Sequence, residues 1–181
     1  MKKRSMDELN RMNVEEFKQS NKFPVVVVLD NVRSMNNIGS VFRTCDAFLI
    51  DELYLCGITA QPPHKDIEKT ALGATQSVNW TYFISTQEAV NKLIKDDYAV
   101  FAVEQAEQSI MLNEFNPRDY KKLALVFGNE VMGVEQQIID TCHGCIEIPQ
   151  FGTKHSLNIS VSAGIILWDI IRYELRNNLK I

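Results

Sequence analysis

The sequence is poor in the residues that loose or cross-linked chains depend on. Only eight glycines and five prolines occur in 181 residues, too few for a collagen-like repeat or a long flexible linker. Hydrophobic residues make up 45% and charged residues 23%, a balance that excludes intrinsic disorder. The four cysteines, Cys45, Cys56, Cys142 and Cys145, cannot form the dense framework of a small disulfide scaffold. Only Cys142-His143-Gly144-Cys145 is closely spaced, whereas a structural zinc site usually needs a second such pair. A redox C-x-x-C normally opens a helix after a strand, and this one lies between an apparent helix end and an apparent strand. Buried, reduced thiols and no metal are therefore expected. No stretch reaches the length of a bilayer span without a charge. Behind Met1-Lys2-Lys3-Arg4 there is no apolar leader segment, so a cytoplasmic protein without membrane contact is expected. Positive charge is also scarce, with 19 Lys and Arg against 23 Asp and Glu. Broad electrostatic capture of nucleic acid needs the opposite balance.

What is present reads as one domain with a short appendage. Residues 1–22 form a polar arm with two helix-start signals, Ser5 with Glu8 and Asn13 with Glu16, predicting an N-terminal helical arm outside the main core. The domain proper spans 23–181. It opens with Pro24-Val25-Val26-Val27-Val28-Leu29-Asp30, an unalternating run expected of a strand buried on both faces. Further strands are predicted at 53–56, 81–84, 99–103, 123–127 and 145–148. Helical spacing falls between several of them, as in Ile38, Val41, Phe42 and Cys45, and in Ala89, Leu93 and Ile94. This alternation predicts an α/β fold with a mostly parallel sheet flanked by helices. From Val161 to Ile171 the last helix is apolar nearly all round, which requires cover on two sides, either within the chain or by a second subunit. Asp169, Arg172 and Glu174 exclude a membrane span.

In an open parallel sheet ligands gather beyond the carboxyl ends of the strands. Three apolar runs there give way to turns rich in Gly, Asn and Ser: 30–40, 128–133 and 149–158. Glycine permits close approach of backbone to a ligand, so a site built largely from backbone is expected. Familiar phosphate motifs are missing: Gly128 and Gly133 have P-loop spacing, but Val134 follows where a lysine is required. No G-x-G-x-x-G follows a strand and no G-x-S-x-G elbow occurs. Taken singly, the polar residues of these turns have structural readings. Arg43 points away from the apolar stripe of its helix, Glu130 suits capping the helix that follows it, Asn37 suits capping the helix of Arg43, and Ser156 and Asn158 suit the start of the last helix. His64 and His155 read as exposed loop residues.

Together the segments resemble something specific. Asn37-Ile38-Gly39-Ser40-Val41-Phe42-Arg43, Phe127 to Gly133, and Ile148-Pro149 through Ser156-Leu157-Asn158-Ile159-Ser160-Val161 are similar to the three ordered motifs of the TrmH-like branch of the SPOUT RNA methyltransferases. Lys69-Thr70-Ala71-Leu72-Gly73-Ala74 resembles the segment between the first two. The likeness covers residues 23–176. It implies a C-terminal deep trefoil knot, S-adenosyl-L-methionine as methyl donor, a homodimer through the C-terminal helix, and methylation of a ribose 2′-hydroxyl of tRNA or rRNA. By position, Arg43, Asn37, Glu130, Ser156 and Asn158 match the catalytic residues. Val103, Glu104, Gly128, Ile148, Ser156 and Leu157 are implied at the donor, and Arg33, Arg43 and Lys154 at the RNA, helped by the basic cluster of Lys2, Lys3, Arg4, Arg11, Lys18 and Lys22. Arg43 is expected to orient the substrate and stabilise a developing alkoxide rather than to act as a base. Gln150 stands where the family often has Met, and the arm replaces the separate RNA-binding domain of some rRNA-modifying relatives. A non-catalytic RNA-binding or assembly factor, or a base methyltransferase of the same superfamily, are the alternative readings.

Overall fold

The computed structural model describes residues 1–5 and 7–178; Met6, Leu179, Lys180 and Ile181, the last three at the end of the expected domain, lie outside the described residues, as do the side chains of Asp7, Glu174, Arg176, Asn177 and Asn178. Seven strands form one sheet: β1 (Phe23–Asp30), β2 (Ile50–Cys56), β3 (Asn79–Phe83), β4 (Ala99–Val103), β5 (Ile110–Met111), β6 (Leu123–Phe127) and β7 (Gly144–Glu147). Their order is β3-β2-β1-β6-β4-β7-β5, and every pairing is parallel.

The unalternating strands serve two cores. In β1, Val25, Val27 and Leu29 face one side and Val26 and Val28 the other. Strand β6 repeats the division, with Leu123, Leu125 and Phe127 opposed to Ala124 and Val126. Helix α2 (Met35–Ala47) and helix α7 (Ile159–Asn178) cover the first side, while α5 (Thr86–Lys95) and α6 (Gln136–Thr141) cover the second. Among the described residues no helix is long and apolar enough to cross a membrane. All four cysteines are free, and burial raises the Cys142 and Cys145 thiols to about 12 and about 11.

Three sequence expectations are corrected. The N-terminal arm is not outside the core, because Phe17 on α1 (Val14–Gln19) is buried in the first core. The capping box of Asn13 and Glu16 forms and aims that ring inward. Lys22 folds back onto the Phe17 carbonyl, with its ammonium 4.1 Å from the Phe17 ring centre, so it is engaged within the arm. Helix α2 is capped by Ser34, whose hydroxyl accepts from the Asn37 amide, and not by Asn37. His64 is only half-exposed and caps α3 (Lys65–Ala71) through Nδ1. Strand β5 escaped the periodicity reading because two residues carry no period.

Helix α7 is covered on one side only. Ala163, Ile166, Leu167, Ile170 and Ile171 are buried, whereas Val161, Ile165 and Trp168, at i, i+4 and i+7, are 48%, 38% and 50% exposed.

Helices α2 and α3 meet at Gly39. A Cβ there would overlap the Ile67 carbonyl oxygen and the Thr70 hydroxyl, and the same hydroxyl donates to the Asn36 carbonyl at 3.0 Å. Gly39→Ala is expected to destabilise the fold by about 1–3 kcal/mol through overpacking, read as a lower urea midpoint; an unchanged midpoint contradicts this packing.

Candidate active site at the carboxyl edge of the sheet

A cleft of about 650 Å³ opens where β4, β6 and β7 end, within the range of roughly 300–1,000 Å³ usual for small-molecule sites. Its walls come from Val103, Glu104 and Gln105 after β4, the turn 128–134 after β6, and Ile148, Gln150 and residues 156–158 after β7.

The middle turn is held by its own asparagine. Asn129 and Gly133 exchange backbone hydrogen bonds of 3.2 and 3.1 Å, and Asn129 Oδ1 accepts from the amides of Val131 and Met132 at 3.0 and 2.9 Å. Gly128 is required by contact, since a Cβ would overlap the backbone of Gly133 and Val134. Glu104 Oε2 accepts from the Val134 amide at 3.1 Å, fastening the turn to the end of β4.

The three turns are tied to one another by side chains. Glu130 Oε1 accepts from Asn37 Nδ2 at 2.9 Å and from the Ser34 amide at 3.2 Å, while Oε2 accepts from the Arg33 amide at 3.2 Å. Asn37 Oδ1 then accepts from Asn158 Nδ2 at 3.1 Å. Asn158 Oδ1 in turn accepts from the amide and hydroxyl of Ser160, capping α7. Gln105 Nε2 donates to the His155 carbonyl at 2.8 Å, holding the last turn over the end of β4. Glu130 therefore receives the entry to α2 rather than capping the helix after it. Partial burial pushes its carboxyl up, but the bonds from Asn37 and from backbone amides outweigh this and hold it below the ordinary value of 4.5.

Of the residues singled out in the sequence, Asn37, Glu130 and Asn158 form this chain of hydrogen bonds. Val103, Glu104, Gly128, Ile148, Ser156 and Leu157 all line the cleft. Arg43 does not: it is exposed on α2, and its side chain makes no hydrogen bond or ion pair among the described residues. Arg33 and Lys154 are exposed on the first and third turns, and neither lines the cleft. Asn129 and Gln105 were missed as organisers. Asn129 was legible as a turn asparagine, whereas the Gln105–His155 contact, 50 residues apart, had no local signal.

The sequence model described as the SpoU rRNA Methylase family matches residues 24–168. The chain belongs to that family. It is 30% identical over 177 residues to the tRNA (guanosine(18)-2'-O)-methyltransferase of Thermus thermophilus, covering 97% of this chain and 89% of that protein. The enzyme of the same description from Aquifex aeolicus is 34% identical over 150 residues, 82% of this chain and 69% of that one. The crystal structure of the Aquifex aeolicus TrmH/SpoU tRNA modifying enzyme superposes with a TM-score of 0.79 at 26% identity, covering 90% of this chain and 81% of that chain. An AdoMet-bound rRNA methyltransferase from Sinorhizobium meliloti shares the fold at TM-score 0.78 and 24% identity. The match takes in 84% of this chain and 57% of that longer one.

A carboxylate whose pKa is lowered on folding contributes stability that is present above its unfolded value and is lost as pH falls through the folded one. The Glu130–Asn37–Asn158 chain is thus expected to persist at neutral pH and to give way only below pH 4.5. Carbon-detected NMR titration of the Glu130 carboxyl checks this, and a midpoint at or above 4.5 contradicts it.

Proposed function

We propose that this protein transfers a methyl group from S-adenosyl-L-methionine to a ribose 2′-hydroxyl of tRNA or rRNA. The observation that carries the reading is the cleft walled by the ends of β4, β6 and β7, its last two turns both tied to Asn37 on α2, in a chain matched over 97% of its length by a guanosine 2′-O-methyltransferase. The residues present suit the donor. A nucleoside with an uncharged aromatic base needs apolar walls and backbone hydrogen-bonding edges; Val103, Ile148 and Leu157 supply the former. The turn 128–134 that brings such backbone edges to the cleft closes on itself so tightly that no Cβ fits at Gly128. Bound S-adenosyl-L-methionine supplies an already activated methyl on a sulfonium, so the protein's task is alignment.

Alignment of an acceptor oxygen can contribute roughly 7–11 kcal/mol to a barrier. Gly128, Ile148, Ser156 and Leu157 hold the donor, with Val103 and Glu104 as one wall. Glu130 and Asn37 fix the turns, and Asn158 starts α7 beside them. Ser156 lines the cleft from the third turn. Arg43 orients the ribose or its phosphate and stabilises charge on the hydroxyl oxygen as it attacks the methyl carbon, and the hydroxyl proton passes to an RNA phosphate. Arg33 and Lys154 contact the RNA backbone.

We also propose a homodimer through α7. The exposed stripe Val161, Ile165 and Trp168 supports it, as does the position of Trp168, whose ring lies 6.1 Å from that of Phe48 at the end of α2. With Arg43 outside its own chain's cleft, a partner seated on this face is the means by which the arginine meets a donor. The C-terminal segment is proposed to close the trefoil knot of the family. Residues 148–158 run from β7 past the end of β4 to α2, tied by Gln105–His155 and Asn37–Asn158, a return path that such threading requires.

Incubation of bulk tRNA and rRNA with methyl-labelled donor, followed by nuclease digestion and mass spectrometry, is expected to yield a 2′-O-methylnucleoside. A methylated base, or no incorporation into any RNA, contradicts the reading. Gly128→Ala is expected to weaken S-adenosylhomocysteine binding by about tenfold or more in calorimetry, the overlap costing at least about 1.4 kcal/mol. Trp168→Glu is expected to shift sedimentation from dimer to monomer, and an unshifted dimer contradicts the α7 interface.

A further inference from the structure

The cleft has an apolar rim that none of the roles above uses. Val131 and Met132, at the tip of the turn after β6, are 70% and 76% exposed, and Phe151, next to the cleft-lining Gln150, is 96% exposed. Single exposed apolar residues are ordinary; three on the two turns that flank one cleft call for an occupant. They are also presented rather than loose. The amides of Val131 and Met132 are held by Asn129 Oδ1, and the turn bearing Phe151 is fastened by Gln105 to the His155 carbonyl. Every residue from Phe151 to Asn158 is exposed, and even Gly152 has open space where a Cβ would stand.

We infer that Phe151 is a stacking platform for the base of the target nucleotide, with Val131 and Met132 forming the opposing apolar contact. This rests on the RNA methylation reading. A ribose oxygen can meet a methyl donor held in the cleft only if its nucleotide is drawn out of its stack and immobilised at the mouth. The base is the nucleotide's largest rigid surface, and every base has a π-face that an aromatic side chain can cover. The rim offers that ring, while Lys154 on the same turn and Arg33 on the first turn offer cations for flanking phosphates. An exposed aromatic ring three residues from a cation, on a turn that walls the cleft, matches an unstacked nucleotide better than a lipid surface or an apolar protein face. The grip is on base shape, so it positions whichever base the RNA fold delivers.

One base stacked on an aromatic side chain changes affinity by roughly 5- to 150-fold. With bulk tRNA and rRNA as acceptors and the full chain throughout, Phe151→Ala is expected to raise the KM for RNA by about tenfold or more. The kcat and the affinity for S-adenosylhomocysteine stay near those of the unsubstituted protein. Phe151→Trp is expected to restore the KM, and Phe151→Leu to restore it only in part. An active unsubstituted protein with an unchanged KM in Phe151→Ala overturns the stacking role alone. A Phe151→Ala chain that sediments as a monomer, while the unsubstituted chain is a dimer, also overturns it and assigns the ring to the contact between copies. An unsubstituted protein inert on every RNA overturns the methylation reading, and the stacking role falls with it.

Discussion

One carboxylate coordinates the whole active edge. Glu130 sits on the turn after β6, yet its partners lie 93 to 97 residues earlier, in the turn that opens α2. Through Asn37 its reach extends a further 121 residues along the chain to Asn158, the first polar group of α7. Three turns separated by most of the sequence thereby become one surface. Charge-assisted bonds of this kind are the stronger class of protein hydrogen bonds. The Ser34 amide that Glu130 accepts is also one that the start of α2 would otherwise leave unpaired. The site is thus organised by the same groups that terminate the secondary structure.

The sheet beneath makes this possible. A parallel sheet with helices on both faces brings all of its carboxyl ends to one edge, and β6 lies between β1 and β4. The turns after β1, β4 and β6 are therefore neighbours by construction, and β7, paired to β4, adds the fourth. The near-absence of charge on the inward faces of β1 and β6 lets two cores share these strands. Polar side chains are left to collect where the strands stop.

Most of this was legible in the residues because it follows from period and punctuation. Unbroken Val and Leu runs marked the two-sided strands, and Gly-Asn-Ser turns marked the edge. What escaped was decided by tertiary contact. Phe17 looked like an isolated aromatic in a polar arm, and only a core surface waiting for it made the arm part of the domain. Ser34 rather than Asn37 caps α2 because Asn37 is committed to Glu130 and Asn158, which no local pattern shows. The apolar circumference of α7 was visible as such, whereas the side left open, Val161 with Ile165 and Trp168, needed the packed chain to identify it. Arg43 carried a strong motif signal and a weak geometric one: it stands exposed on α2, outside the walls of the cleft.

The acidic net charge argues against a broad electrostatic field for nucleic acid, and the RNA contact proposed above is accordingly a local one. The central claim is that turns after β4, β6 and β7 act as one preformed cradle for the methyl donor. Amide hydrogen exchange with and without S-adenosylhomocysteine tests it most directly, since it reads each turn separately. Simultaneous slowing at 103–105, 128–134 and 146–158, with the rest of the sheet unchanged, is the result the account requires. Slowing confined to one of these turns, or located elsewhere in the protein, contradicts it.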